Sequence, residues 1–252
     1  MTSSTEMPST EHSEPSVVYP RAPIVEAIIE LRVVLDGGPR SMESCLEQFT
    51  DLASEFPETK RREVIRLEAG PDTLKAAQSV DATVMSNGRQ TVVIGPNVFG
   101  FSQLAPYRDW STFRDDARRY WIMFSERLNP IEVVRLATRF VNRIDIPAPV
   151  ADIEQYFATG PMLGSGMPDV LAGFYMQLQM PQLDLGCMAI VNEALLPATD
   201  RSAASFMLDI DVFEEGHFSD MNYPWERLEA FRIRKNLIFE SCITDSTREL
   251  FK

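Results

Sequence analysis

The sequence predicts an α+β chain of two related units, each running strand, helix, three strands, helix, with antiparallel sheets and helices packed on one face. Three observations predict it. Short runs alternate apolar and polar with period two, and a long helical stripe closes each half. The same order of elements is also met twice, over roughly 24–128 and 132–240. On this reading residues 1–18 are a disordered tail, 19–130 the first unit and 131–252 the second, the two forming one compact domain.

The elements follow in order. Met1 to Ser16 is built from Ser, Thr, Glu and Pro, with neither the basic nor the apolar stretch of a secretory signal. It offers too little apolar surface to offset chain entropy, so it is expected to be disordered. From Ile24 to Leu35, Val25, Ala27, Ile29, Leu31, Val33 and Leu35 alternate onto one face, while Glu26, Glu30 and Arg32 share the other. That is a strand, broken by Gly37-Gly38-Pro39. From Ser41 to Phe56, Met42, Cys45, Leu46, Phe49 and Leu52 fall at helical spacing. Asn87-Gly88 joins strands at 82–86 and 89–94 as a hairpin, because that dipeptide tolerates the positive φ of a type I′ turn. Gly95-Pro96-Asn97 turns the chain into a strand at 98–104. Asp109 then caps a helix to Leu128 with Trp110, Phe113, Ala117, Tyr120, Trp121, Phe124 and Leu128 as its apolar stripe.

The second half opens on a strand from Val133 to Ile146, closed by Pro147 and Pro149. A short helix from Asp152 to Phe157 and a Gly/Pro-rich loop at 160–168 lead to three strands, at 174–180, 186–195 and 205–213. Pro224, at a favourable first helical position, opens a helix to about Glu240. Thr244 caps a last short helix at 245–251, where Ser246-x-x-Glu249 matches a capping box.

Composition narrows the function classes. Thirty-seven acidic against 24 basic residues in 252 give a formal charge of −13. Such a chain is repelled by nucleic acid and by anionic membrane surfaces. No run approaches the ~20 apolar residues of a membrane-spanning helix. Two histidines leave little for an imidazole metal centre, and three isolated cysteines form neither a disulfide framework nor a zinc site. A soluble protein of a reducing, bacterial-type cytoplasm is expected, without metal or cofactor.

Several segments taken together resemble one family. They are Pro23-Ile24-Val25-Glu26-Ala27-Ile28-Ile29-Glu30-Leu31-Arg32, then Phe101-Ser102-Gln103-Leu104-Ala105-Pro106-Tyr107-x-x-Trp110, then Arg139-Phe140-Val141-Asn142-Arg143-Ile144-Asp145-Ile146-Pro147. Leu208-Asp209-Ile210-Asp211 and the C-terminal run from Lys235 to Phe251 complete the set. From about Tyr19 to Lys252 the chain resembles the sporadically distributed prokaryotic family catalogued as TIGR family four-two-five-five, whose members have no assigned function. The resemblance implies a scattered, horizontally transferred gene. It supplies no catalytic residues.

The constellation richest in chemistry is a row of arginines. Arg135, Arg139 and Arg143 project from one face of the Val133–Ile146 strand together with Asp145. Asp209 and Asp211 share a face of a later strand, as Glu26, Glu30 and Arg32 do of the first. Were these strands neighbours, the face would hold either a cross-strand lattice of opposite charges or a pocket whose guanidinium forks grip an anion. Other groups read as structural. Arg114, Arg118 and Arg119 mix with Asp115 and Asp116, and Arg227, Arg232, Arg234 and Lys235 with Glu226, Glu229 and Glu240. The 160–168 loop lacks a phosphate-loop ending, and Ser165 does not sit in G-x-S-x-G. His217 is read as a loop contact.

The expected function is therefore a non-enzymatic binding or adaptor protein of a sporadic bacterial locus, of the mobile-element or phage-defence kind. A protein partner or a second copy of the chain is expected, and no membrane or nucleic acid. Two alternatives stay open: a chaperone-like module taking extended chains in a groove, and an enzyme gripping an anionic metabolite with Arg139 and Arg143. In the second, Asp145, Asp209 or Asp211 would act as acid, base or metal ligand.

Overall fold

A nine-stranded antiparallel sheet dominates the computed structural model, which describes residues 18–38, 40–69, 74–148, 150, 152–164, 166, 171–197 and 202–252. The expected disorder of 1–16 lies outside the described residues, as does Ser165. The strands are β1 (Ile24–Leu35), β2 (Glu58–Ala69), β3 (Leu74–Ser86), β4 (Gln90–Gly95), β5 (Val98–Leu104), β6 (Pro130–Pro147), β7 (Tyr175–Gln182), β8 (Cys187–Leu195) and β9 (Ala203–Phe218). The helices are α1 (Met42–Leu46), α2 (Trp110–Leu128), α3 (Tyr223–Cys242) and α4 (Asp245–Glu249).

Their order in the sheet, β2-β3-β4-β5-β1-β6-β9-β8-β7, corrects the fold class expected from the sequence. There are not two helix-covered units with sheets of their own. β1 and β6 pair along almost their whole length, so both halves belong to a single sheet with few helices. The physical reason is edge satisfaction. β1 and β6 are the two strands that would end the separate sheets, and each would expose a long ladder of unpaired amides. Pairing them removes both edges.

Local chemistry fixes several elements. Asn87 Oδ1 accepts from the amides of Arg89 and Gln90 (3.0 and 2.8 Å), and Gly88 takes the positive φ (81°) that the β3–β4 hairpin needs. The Asp109 carboxylate accepts from the Thr112 amide at 2.8 Å to cap α2, and Asn129 ends that helix in the left-handed region. The helix expected over 41–56 is shorter. It is helical only at Met42–Leu46, then tightens to a 3-10 segment, Glu47–Ser54, broken at Phe49. There the Phe49 ring stacks on Phe124 at 6.1 Å. Thr244 is the N-cap residue of α4 as expected, but its hydroxyl donates to the Gln155 carbonyl and makes no cap bond; Ser246 lies inside the helix, so its capping-box match with Glu249 has no counterpart.

One face of the sheet is apolar. Ala27, Ile29, Leu31, Val33 and Leu35 of β1 are buried there, with Phe99 and Phe101 of β5 and Phe140 of β6. The stripe of α2 meets it ring against ring, Tyr120 on Phe101 at 5.4 Å and Trp121 on Phe99 at 5.5 Å. α3 packs against β6 and β9 and buries Lys235, whose ammonium lies 3.9 Å from the centre of the Phe140 ring. Burial holds that amine far below the usual lysine range, at about 7.

The other face curls. In a flat sheet β2 would stand four strand spacings, about 19 Å, from β1. Yet Arg62 of β2 donates to Glu30 of β1 at 2.7 Å. No arginine spans a flat sheet of that width, so the β2–β5 arm bends over β1. A bulge in β3 assists. Arg62 pairs with Ala82 and Glu63 with Val80, leaving Asp81 as the extra residue, and such a bulge bends its strand. Gly95 is required beside it, because a Cβ there would lie 2.3 Å from the Asp81 carbonyl oxygen. Gly95→Ala is expected to cost about 1–3 kcal/mol by forcing the backbones apart. The measurement is a lower urea midpoint at unchanged slope.

Candidate functional site on the concave face

The bend makes a bowl. Seven consecutive strands, from β2 to β9, line one cavity of about 680 Å³. Its floor is made of small or flat side chains, among them Gly100, Ser102 and Ala137. Gly100 cannot be enlarged freely, since a Cβ would stand 3.0 Å from the Val93 side chain across the β4–β5 pair.

Four arginines face this cavity, Arg32, Arg62, Arg135 and Arg139. The register explains why. Arg139 pairs with Ile28 on one side and Asp211 on the other, and Arg32 pairs with Arg135 directly across the β1–β6 ladder. Two arginines abreast require counter-charge. Glu30 supplies it, receiving Arg62 Nη1 at 2.7 Å, Arg32 Nε at 3.2 Å and Arg135 Nη1 at 3.6 Å. Arg62 also forks onto Asp81 at 2.8 and 2.7 Å. Arg135 reaches Asp211 at 3.0 Å, and its guanidinium lies 4.4 Å from the Phe213 ring centre.

Arg139 and Asp209 form the tightest pair, a two-pronged fork with both bonds at 2.7 Å. Asp209 is fully buried and accepts a further bond from Asn192 Nδ2 at 2.9 Å. Asn192 Oδ1 in turn accepts from Tyr175 Oη and Gln177 Nε2 on β7. A polar relay thus runs from the β7 edge to the bowl. Asp211 differs from Asp209. Burial raises its pKa despite Arg135 and Arg139 nearby, and its Oδ1 is buried with no hydrogen-bond partner.

The structure therefore brings Arg135, Arg139, Asp209 and Asp211 together with Glu26, Glu30 and Arg32. Arg143 and Asp145 stand apart at the end of β6. They pair with each other at 3.0 Å and share Ser205 Oγ, outside the cavity lining. Sequence reasoning missed Arg62, Asp81 and Glu215, the first two because the bend that delivers them is a property of the whole arm.

The remaining candidates are tied into the fold. His217 lies on β9, not in a loop, with Nδ1 3.1 Å from Glu132. Arg114 pairs with Asp115, Arg119 with Glu55, Arg227 with Glu214, Arg232 with Glu229 and Arg234 with Asp184. Cys45, Cys187 and Cys242 are buried thiols, and burial raises the pKa of Cys242 to about 11. Among the described residues no three His, Cys, Asp or Glu side chains gather as a metal site, and no helix is long and apolar enough to cross a membrane. A smaller cavity of about 420 Å³ lies between the Asn87–Gln90 turn and the start of α2, with the exposed Arg89 and Arg108 at its rim.

No protein-family model matches the chain, and no curated protein does either.

Proposed function

We propose that this chain is a non-enzymatic binding protein whose ligand occupies the bowl on the charged face of the sheet. On this reading it works in the cytoplasm as an adaptor of a sporadic bacterial locus, in the manner of the uncharacterised family that its motifs resemble. A protein partner or a second copy of the chain reads out the bound state. The observation that carries the proposal is the cavity itself. Seven strands curl around one space of about 680 Å³, within the ~300–1,000 Å³ range of small-molecule sites. Fixed charges from four of those strands point into it, which favours a charged ligand over an apolar one. Large exposed apolar side chains are instead scattered, from Ile122 on α2 to Leu237 on α3. That gives a chaperone groove little support.

The test is thermal unfolding against a panel of charged metabolites, comparing the native chain with Ala137→Leu, which fills the bowl floor. A binder is expected to raise the melting temperature of the native chain by several degrees and to leave the variant unmoved. If no compound moves the native chain, or the shift survives in Ala137→Leu, the bowl is not the site.

A further inference from the structure

We propose that the ligand of the bowl is a polyphosphate chain carried as its magnesium complex, with the three arginines around Glu30 as the phosphate seat. This inference rests on the bowl being a ligand site, and names its chemistry.

Arg32, Arg62 and Arg135 come from β1, β2 and β6, three different strands, and converge on the single Glu30 carboxylate at 3.2, 2.7 and 3.6 Å. A planar carboxylate offers two oxygens to three guanidinium groups. A terminal phosphoryl group offers three, spread tetrahedrally, and suits three forks better. Glu30 thus holds the place of an anion, on a side chain whose rotation can vacate it.

Charge then dictates the rest. The cavity is lined by five carboxylates (Glu26, Glu30, Glu63, Asp211, Glu215) and four arginines. A bare polyphosphate would add several negative charges to a site that already has one too many. A divalent cation lessens the conflict. It offsets two of the phosphate charges, and Glu30, once released by its arginines, swings onto it. Magnesium is commonly held by one or two carboxylates together with phosphate oxygens and water. A second carboxylate lies beside the same guanidinium: Asp211 Oδ2 takes Arg135 at 3.0 Å, and its Oδ1 is buried without a hydrogen-bond partner. Phosphate and metal would thus take the places of internal ion-pair partners, and the cavity would gain two fewer negative charges than a bare polyphosphate brings.

Isothermal titration at fixed ionic strength tests this, using inorganic tripolyphosphate, ATP and spermine, each with magnesium or with EDTA. Tripolyphosphate with magnesium is expected to bind, with affinity falling at least tenfold in EDTA. Arg32→Ala, and Arg135→Lys, which keeps the charge and loses the fork, should each weaken it at least tenfold while the protein still unfolds cooperatively. Glu30→Gln should bind metal-free tripolyphosphate several-fold more tightly than the native chain, because the internal competitor is gone. A merely structural Glu30 would not produce that gain. Equal binding of ATP would mean that the bowl accepts a nucleotide-borne chain, and preference for tripolyphosphate a free one; either supports the proposal. If spermine or a panel metabolite binds and Ala137→Leu abolishes it while no phosphate binds, the bowl stands as a site and the phosphate assignment falls. If nothing binds, both fall. If Arg89→Ala abolishes phosphate binding and Arg32→Ala does not, the phosphate belongs to the smaller cavity and the proposal is overturned.

Discussion

Arg139→Ala is expected to lower the unfolding free energy by about 3–5 kcal/mol, the cost of leaving one member of a buried ion pair uncompensated. The asymmetry of the pair makes the effect large. The Arg139 side chain is 46% exposed, whereas that of Asp209 is 1% exposed. The arginine could be lost to water at little cost, but the carboxylate cannot follow it. After the substitution Asp209 keeps one bond, from Asn192 at 2.9 Å, in place of three. Urea denaturation at pH 8 reads the effect. Adding Asp209→Asn to Arg139→Ala should restore much of the loss, since a neutral amide is cheaper to bury. A deficit below about 1 kcal/mol would show that the pair behaves as an ordinary surface salt bridge.

Glu193→Gln is expected to act in the opposite sense and to stabilise the protein at pH 8. Glu193 points from β8 into the apolar side of the sheet, fully buried. One oxygen accepts from Thr159 Oγ1 at 2.8 Å, and the other, Oε1, has no partner. Burial is the main cause that pushes its pKa from 4.5 up to about 7, against the weaker pull of the Thr159 bond. The sign follows from linkage. The folded state holds the proton more tightly than the unfolded chain does. Stability from this group is therefore full below about 4.5, falls as pH rises, and is lost above about 7. The whole change is about 3 kcal/mol, at ~1.4 kcal/mol per pKa unit. Glutamine removes the ionisation, so the variant should match the native chain near pH 4.5 and exceed it by about that amount at pH 8. Unfolding free energies at the two pH values decide the matter. A variant no more stable than the native chain at pH 8 would mean that Glu193 is ionised without penalty.

The charged face was partly legible in the sequence because period two is a local property. The alternation in Ile24–Leu35 and Val133–Ile146 placed Glu30, Arg32, Arg135 and Arg139 on faces that the ladders then brought together. What joined those faces was not local. That β1 and β6 are neighbours is decided by which edges need covering, and no window of residues carries that information. β2 was missed for a different reason. Its run Glu58-Thr59-Lys60-Arg61-Arg62-Glu63 has charges on both faces, as an edge strand can, and gives no apolar alternation. With β2 went Arg62, and with Arg62 the three-arginine seat. Ser41–Phe56 shows the converse error. Its helical spacing is real, but Phe49 leaves helical geometry where its ring meets Phe124. Thr159 and Gly160, which flank the hidden carboxylate of Glu193, carried no sequence signal, since their role depends on a loop folding over β8.

The central position of β1 has a consequence for how the chain is made. Ile28 pairs with Ser102 on one side and Arg139 on the other. β1 is synthesised before either of its neighbours, and its apolar residues wait exposed until β5 and β6 have followed. Loop closure over such separations slows folding and lengthens exposure to aggregation. The bowl inherits this dependence, because Arg32 and Arg62 come from the early part of the chain while Arg135 and Asp211 come from the late part. A fragment released at Leu128 would carry two of the three arginines of the seat and nothing to complete it. Ligand binding in the bowl would report a chain synthesised through β9.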